Sequence, residues 1–265
     1  MTADFWDETV ISRGRAARFR VGPLVLTISR SAQEWHLARE STGDAIDASA
    51  SVEALDAMPQ AAEHAEVTRY ATSPGSERLS VLPVVPDRSV VSRLDRPLTI
   101  LARTSVTIYI GAPVWLRIVE PGDRRLTEFP AWRPKETWFG PNTREGELCY
   151  ATRTLGRLVL DEMQILPHRM VSAVSIRNDR DEALAIDRVN LPARRLSVYR
   201  AKDGRFWTEA VTLERTLRDE FAKIHVGDEP PTEAAGAVRI SGPRDVEESG
   251  RLFRAFGTLF TRESP

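Results

Sequence analysis

The sequence predicts a mainly β protein of antiparallel sandwich type, one large or two stacked, with a C-terminal amphipathic helix packed on it. Three observations carry this expectation. Short runs of alternating apolar and polar residues recur along the chain, and turn residues interrupt them about every ten positions, the spacing of a sandwich or barrel rather than a βαβ fold. Asp203-Gly204 lies between two such runs, the strongest short-range hairpin signal there is. Near the C-terminus, Leu252, Phe253, Phe256, Leu259 and Phe260 fall on one face at helical period.

Taken in order, Phe19 and Val21 alternate before a Gly22-Pro23 break, and the apolar run from Leu24 to Ile28 follows, so two short strands are expected here with a third near Trp35 to Arg39. Residues 41 to 65 turn small and acidic, with Val52, Leu55 and Met58 at helical spacing, which predicts a loop and one short helix. From 78 to 123 the chain is richest in strand signals. Val106, Ile108 and Ile110 alternate with Thr107 and Tyr109, while Pro97, Gly111, Pro113 and Pro121-Gly122 punctuate the runs. Prolines at this frequency suit strand ends and exclude long helices. Two strands joined at Asn178 to Asp181 follow, then the pair around Asp203-Gly204. The expected organisation is a β-rich region with a short helix over 1–75, a first sandwich half over 76–166, and a second over 167–265 ending in the helix. These three parts can form one compact unit.

Of the 265 residues, 42% are hydrophobic and 28% charged, and the charges balance to a formal net charge of −1. This is the composition of an ordinary soluble globular protein. A dedicated nucleic-acid binder would show a cationic excess, so no nucleic acid is expected as a partner. A single cysteine rules out an intramolecular disulfide and a cysteine-rich zinc site. The acidic N-terminus lacks the basic start and apolar run of a secretory signal, and no window reaches the roughly 18 apolar residues of a membrane span. A cytoplasmic protein is expected.

Signatures of chemistry are sparse. His36, His64, His168 and His225 are widely separated and form no zinc-binding pattern, so no metal is expected, nor any cofactor. There is no phosphate-cradling glycine loop and no nucleophile elbow. Cys149 sits in the strand-like "ELCYA", where a buried, inert thiol is the usual outcome. The residues that most invite a functional reading lie in "WRPKETWFGPNTREGELCY", 132 to 150. Trp132, Trp138, Phe139 and Tyr150 offer rigid contact area, and Arg133, Lys135 and Arg144 offer charge-assisted donors, the mixture enriched at binding hot spots. The opposing reading is that Gly140-Pro141-Asn142 is a turn whose aromatics anchor it to the core.

Three blocks carry a family resemblance: "APVWLRI" (112–118), "KETWFGPNTREGELCYATRT" (135–154) and "SAVSIRNDRDEALAIDRVNLPARRLSVY" (172–199). With Lys135, Trp138, Phe139, Gly140, Gly146, Leu148, Cys149, Asn178, Pro192 and Tyr199, the chain resembles domain-of-unknown-function family 432, over about residues 90 to 210. It departs at Trp138-Phe139, where Leu-Tyr is commoner. The resemblance implies no activity and no catalytic residues. At most it implies a regulatory or accessory role beside small mechanosensitive channels.

A non-catalytic binding or accessory protein, with the 132–150 segment as its recognition surface and a protein as its partner, is therefore the leading expectation. A carbohydrate-active or small-ligand enzyme is the alternative, using Glu136, Glu145 or Glu147 beside the aromatics and requiring two carboxylates across a cleft. A peripheral membrane protein using the C-terminal helix is the third.

Overall fold

The computed structural model describes residues 6, 8–44, 46–72, 75–142, 144–217, 221–246 and 252–257. The chain forms two compact units. Unit 1 comprises Met1–Val84, Val114–Arg133 and Leu166–His168; unit 2 comprises Val85–Pro113, Pro134–Ile165 and Arg169–Pro265.

Unit 1 holds two sheets whose pairs all run antiparallel. The five-stranded sheet has the order Ala50–Leu55, Ala16–Val21, Leu24–Arg30, Glu34–Ser41, Glu66–Ala71. The four-stranded sheet has the order Glu8–Val10, Arg78–Val84, Trp115–Glu120, Arg124–Pro130. Its core includes Phe19, Leu26, Ile28, Trp35, Leu116 and Ile118, all fully buried. Gly22 and Pro23 make the two-residue turn expected of them, with Val21 opposite Leu24. Gly22 takes a φ of +57°, which glycine adopts without the steric penalty of a side chain. Pro121 to Asp123 make the second expected turn and return Arg124 opposite Glu120.

Glu120 ends its strand with a carboxylate that is only 3% exposed. Trp35 Nε1 donates to its Oε1 at 2.8 Å, Arg124 Nε donates to Oε2 at 2.6 Å, and the Thr72 hydroxyl donates as well. Burial by itself would push this carboxyl up, but hydrogen bonds from Thr72, Trp35, Ser76 and Arg124 outweigh it and hold the pKa at about 2.

Unit 2 also holds two sheets. One has the order Lys135–Phe139, Glu147–Ala151, Val90–Ile100, Leu184–Leu191, Phe256–Gly257. The other is eight-stranded and built around Arg169–Asn178, which pairs antiparallel with Thr104–Pro113 over its whole length. The alternation read at 106–110 is realised there, with Ile108 and Ile110 fully buried. The opposite edge of Arg169–Asn178 runs parallel to both Phe206–Trp207 and Val211–Arg215. The hairpin expected at Asp203-Gly204 forms between Val198–Arg200 and Phe206–Trp207, with Gly204 at a φ of +85°. Asn178 is fully buried, and its Nδ2 donates to the carbonyls of Ile100, Leu101 and Glu182 at 3.2, 3.0 and 2.8 Å. It thereby satisfies backbone groups that the strand ends leave open.

Two expectations are corrected. No α-helix occurs among the described residues, whose only helical elements are three short 3-10 turns. The C-terminal stripe is extended where it is described. Leu252–Arg254 pairs with Phe221–Val226, and Phe256–Gly257 pairs with Leu184–Leu191. Residues 252, 253 and 256 satisfy a helical period, but so short a window cannot separate it from a strand that changes sheets. Here the sheet edges supply backbone partners, such as the Asn190 N–H to the Ala255 carbonyl at 2.8 Å, that outweigh the amphipathic pattern. Residues 247–251 and 258–265, with Leu259 and Phe260, lie outside the described residues. The short helix expected within 41 to 65 is likewise replaced by a strand, Ala50–Leu55, paired residue for residue with Ala16–Val21. Val52 and Leu55 are part of that strand, and the edge of a sheet overrode their local spacing. The membrane-surface reading depended on the C-terminal helix and falls with it.

Candidate functional site

The segment "KETWFGPNTREGELCYA" folds as an antiparallel hairpin of Lys135–Phe139 and Glu147–Ala151, whose register sets Trp138 opposite Leu148, Glu136 opposite Tyr150, and Phe139 opposite Glu147. The turn is held by side-chain chemistry. Asn142 Oδ1 accepts the N–H groups of Arg144 and Glu145 at 2.9 and 3.0 Å, a local bond that asparagine forms readily in turns. Trp138 Nε1 donates to the Asn142 carbonyl at 2.8 Å, which lays the indole across the turn. A Cβ on Gly146 would stand 2.6 Å from that nitrogen, and one on Gly140 would run into the Glu145 carbonyl and Gly146. Both glycines are therefore needed for this closure.

Alternation along the strands separates the aromatics. Trp138 and Leu148 share one face and are 40% and 43% exposed. Tyr150 lies on the same face nearer the sheet, is buried, donates its hydroxyl to Asp87 Oδ1 at 3.0 Å and carries the Arg88 guanidinium 5.3 Å from its ring centre. Arg88 also bonds Glu136 at 2.8 Å, and that bond raises the arginine's pKa above its ordinary value. The opposite face is core: Phe139 and Cys149 pack with Val91 as a buried cluster. Burial, then the neighbouring Glu147 carboxylate, pushes the Cys149 thiol well up, so the sulfur is held neutral and inert.

Of the seven residues predicted to bind, the hairpin gathers Lys135, Trp138, Phe139, Arg144 and Tyr150. Lys135, Trp138 and Arg144 are exposed, whereas Phe139 and Tyr150 are buried. Trp132, half-buried, and Arg133, exposed, belong to unit 1. Among the acids, Glu136 shares the face of Trp138, and Glu147 opposes Phe139 on the other, where its Oε1 accepts from Asn190 Nδ2 at 2.5 Å. These two carboxylates therefore do not converge on one substrate. Glu145 stands exposed in the turn. The described residues contain no cluster of three or more histidine, cysteine, aspartate or glutamate side chains able to hold a metal ion.

Unit 2 contains a cavity of about 500 Å³ lined by Arg180, Glu214, Arg215, Leu217, Phe221 and Leu252, among others. A second, of about 280 Å³, is lined by Leu94, Pro97, Ile108, Gly156, Leu158 and Val159, among others. Neither is lined by the hairpin. Sequence reasoning missed the first because its wall converges from positions 180, 214–217, 221, 223 and 252, none of which carries a motif.

The model of the family described as Protein of unknown function (DUF432) matches residues 5–261. The chain belongs to this family. The match covers nearly the whole chain, including the N-terminal quarter, which lies outside the blocks that carry the resemblance. No curated protein and no solved structure matches the chain. In this family member no helix among the described residues is long and apolar enough to cross a membrane.

Proposed function

We propose that the protein is a non-catalytic, cytoplasmic binding or accessory protein that presents the 135–151 hairpin to a protein partner. The exposed Trp138–Leu148 pair on a turn pinned by Asn142 and Gly146 carries this reading. An indole held in one orientation loses little conformational freedom on docking, and tryptophan with neighbouring arginine is the composition of interface hot spots. Arg144, exposed in the turn of the same hairpin, supplies a cationic edge that steers an acidic partner. A membrane protein's cytoplasmic segment is one such acidic partner that this reading would accept, in line with what the family resemblance implies.

The test is capture from detergent-solubilised extract of the native host with the tagged chain and with Trp138→Ala. Because Trp138 is partly solvated, its truncation is expected to cost about 1 kcal/mol, well under the 3–5 kcal/mol of a buried aromatic, and chemical denaturation reads this directly. Loss of a specific partner by the folded variant supports the proposal. Equal capture by both proteins, or a loss of stability on the scale of a core residue, refutes it.

A further inference from the structure

Arg169 opens the central strand of the eight-stranded sheet of unit 2, opposite Pro113. It is 6% exposed, yet its guanidinium meets little that answers its charge. Nη1 donates to Thr154 Oγ1 at 3.0 Å, and the buried Nε has no acceptor. Thr154 lies 3.3 Å from the Gly111 carbonyl through the same hydroxyl, so its proton is committed there and its oxygen is turned to Arg169. The side-chain charge that acts on Arg169 is that of Arg153, of the same sign; burial first and then Arg153 pull its pKa down to about 10.

Other buried arginines of the protein are satisfied differently. Arg30 donates to the carbonyls of Ser76, Ser31 and Glu34 and lies 5.2 Å from the Trp35 ring centre. Arg215 donates to Asn178 Oδ1 and the Glu182 carbonyl. Arg169 has one hydroxyl. A buried cation in this state is strongly disfavoured, and a methionine would pack the same length of stem without the charge.

We propose that Arg169, together with Thr154, binds an oxyanion such as phosphate. With Nη1 tied to Thr154, the guanidinium presents its Nε and Nη2 edge, the fork that grips an oxyanion through two parallel bonds. The anion supplies the acceptor that Nε lacks and the negative charge that this buried guanidinium otherwise does not meet. This site is separate from the hairpin surface and does not depend on it.

Titration calorimetry with inorganic phosphate, backed by melting curves against chloride at matched ionic strength, tests the site. The expected result is saturable binding to the wild-type chain, abolished by Arg169→Met. Arg169→Met is also expected to melt higher than wild type without phosphate, since it removes the buried charge. Arg169→Lys retains a charge without the fork, keeps the test informative if the methionine variant fails to fold, and is expected to bind at least about tenfold more weakly. Methyl phosphate separates the sources: tighter binding than phosphate marks an esterified ligand and equal binding the free ion, and either supports the site. No saturable response of the wild type to phosphate, sulfate or methyl phosphate overturns the proposal, as does undiminished binding by a folded Arg169 variant.

Discussion

Glu120→Ala is expected to lose about 3–5 kcal/mol of stability at neutral pH, the cost of breaking a buried, hydrogen-bonded charge cluster. The carboxylate is almost wholly buried and accepts from Trp35, Thr72 and Arg124 together. Its removal leaves the indole N–H of a fully buried tryptophan without its acceptor, and buried donors left open are expensive. The pH dependence has a definite sign. A carboxyl held at about 2 in the fold against an ordinary value near 4.5 stabilises the protein fully above the ordinary value. That contribution, about 3 kcal/mol, is lost as pH falls through the window from about 4.5 to about 2. Urea titrations across this range should show the loss in wild type and a flatter profile in Glu120→Gln, which keeps an acceptor for Trp35 but carries no charge. A Glu120→Ala protein within 1 kcal/mol of wild type would mean that the cluster contributes almost nothing net.

Gly22→Ala should cost about 2–4 kcal/mol, from two separable causes. The first is the left-handed backbone at φ +57°. The second is collision, since a Cβ there would run into Nδ1 of the His168 ring and stand 2.8 and 2.9 Å from its Cε1 and Cγ. That ring cannot swing aside freely, because His168 is fully buried and its carbonyl accepts from the Val114 N–H at 3.0 Å. Gly14 is the matched control, with a φ of +81° and nothing within 4 Å of a Cβ. Gly14→Ala should therefore show the backbone cost alone, about 1 kcal/mol. Equal losses at the two positions, measured by denaturant unfolding, would show that the packing between Gly22 and His168 yields without cost.

Both residues illustrate where sequence reading stops. Gly22-Pro23 is legible as a turn because the dipeptide restricts its own backbone, and the turn forms where expected. That the glycine must also make room for the ring of residue 168 is invisible, since the contact joins positions far apart in the chain. Pro121-Gly122 and Asp203-Gly204 were legible for the same local reason, as was the alternation at 106–110, which a half-buried strand imposes on its own residues. The C-terminal helix read from Leu252, Phe253 and Phe256, where the chain is described, and the one read within 41–65 failed because spacing over a few residues does not say whether a neighbouring strand offers its backbone. The recognition segment was half legible. Its turn chemistry and its exposed tryptophan are local properties, but Phe139 and Tyr150 were counted with Trp138, and only burial separates them.

By itself, then, the sequence determined a β-rich chain, the positions of its tightest turns and its family, because each rests on backbone restrictions or motifs carried by adjacent residues. The tertiary structure decided which aromatics face solvent, which acids converge and which cations are left uncompensated. Those outcomes depend on partners distant in the chain: Trp35 and Thr72 for Glu120, Asp87 and Arg88 for Tyr150, Thr154 for Arg169. Burial in a low-dielectric interior turns each such meeting into a large energy, and no local pattern of residues encodes it.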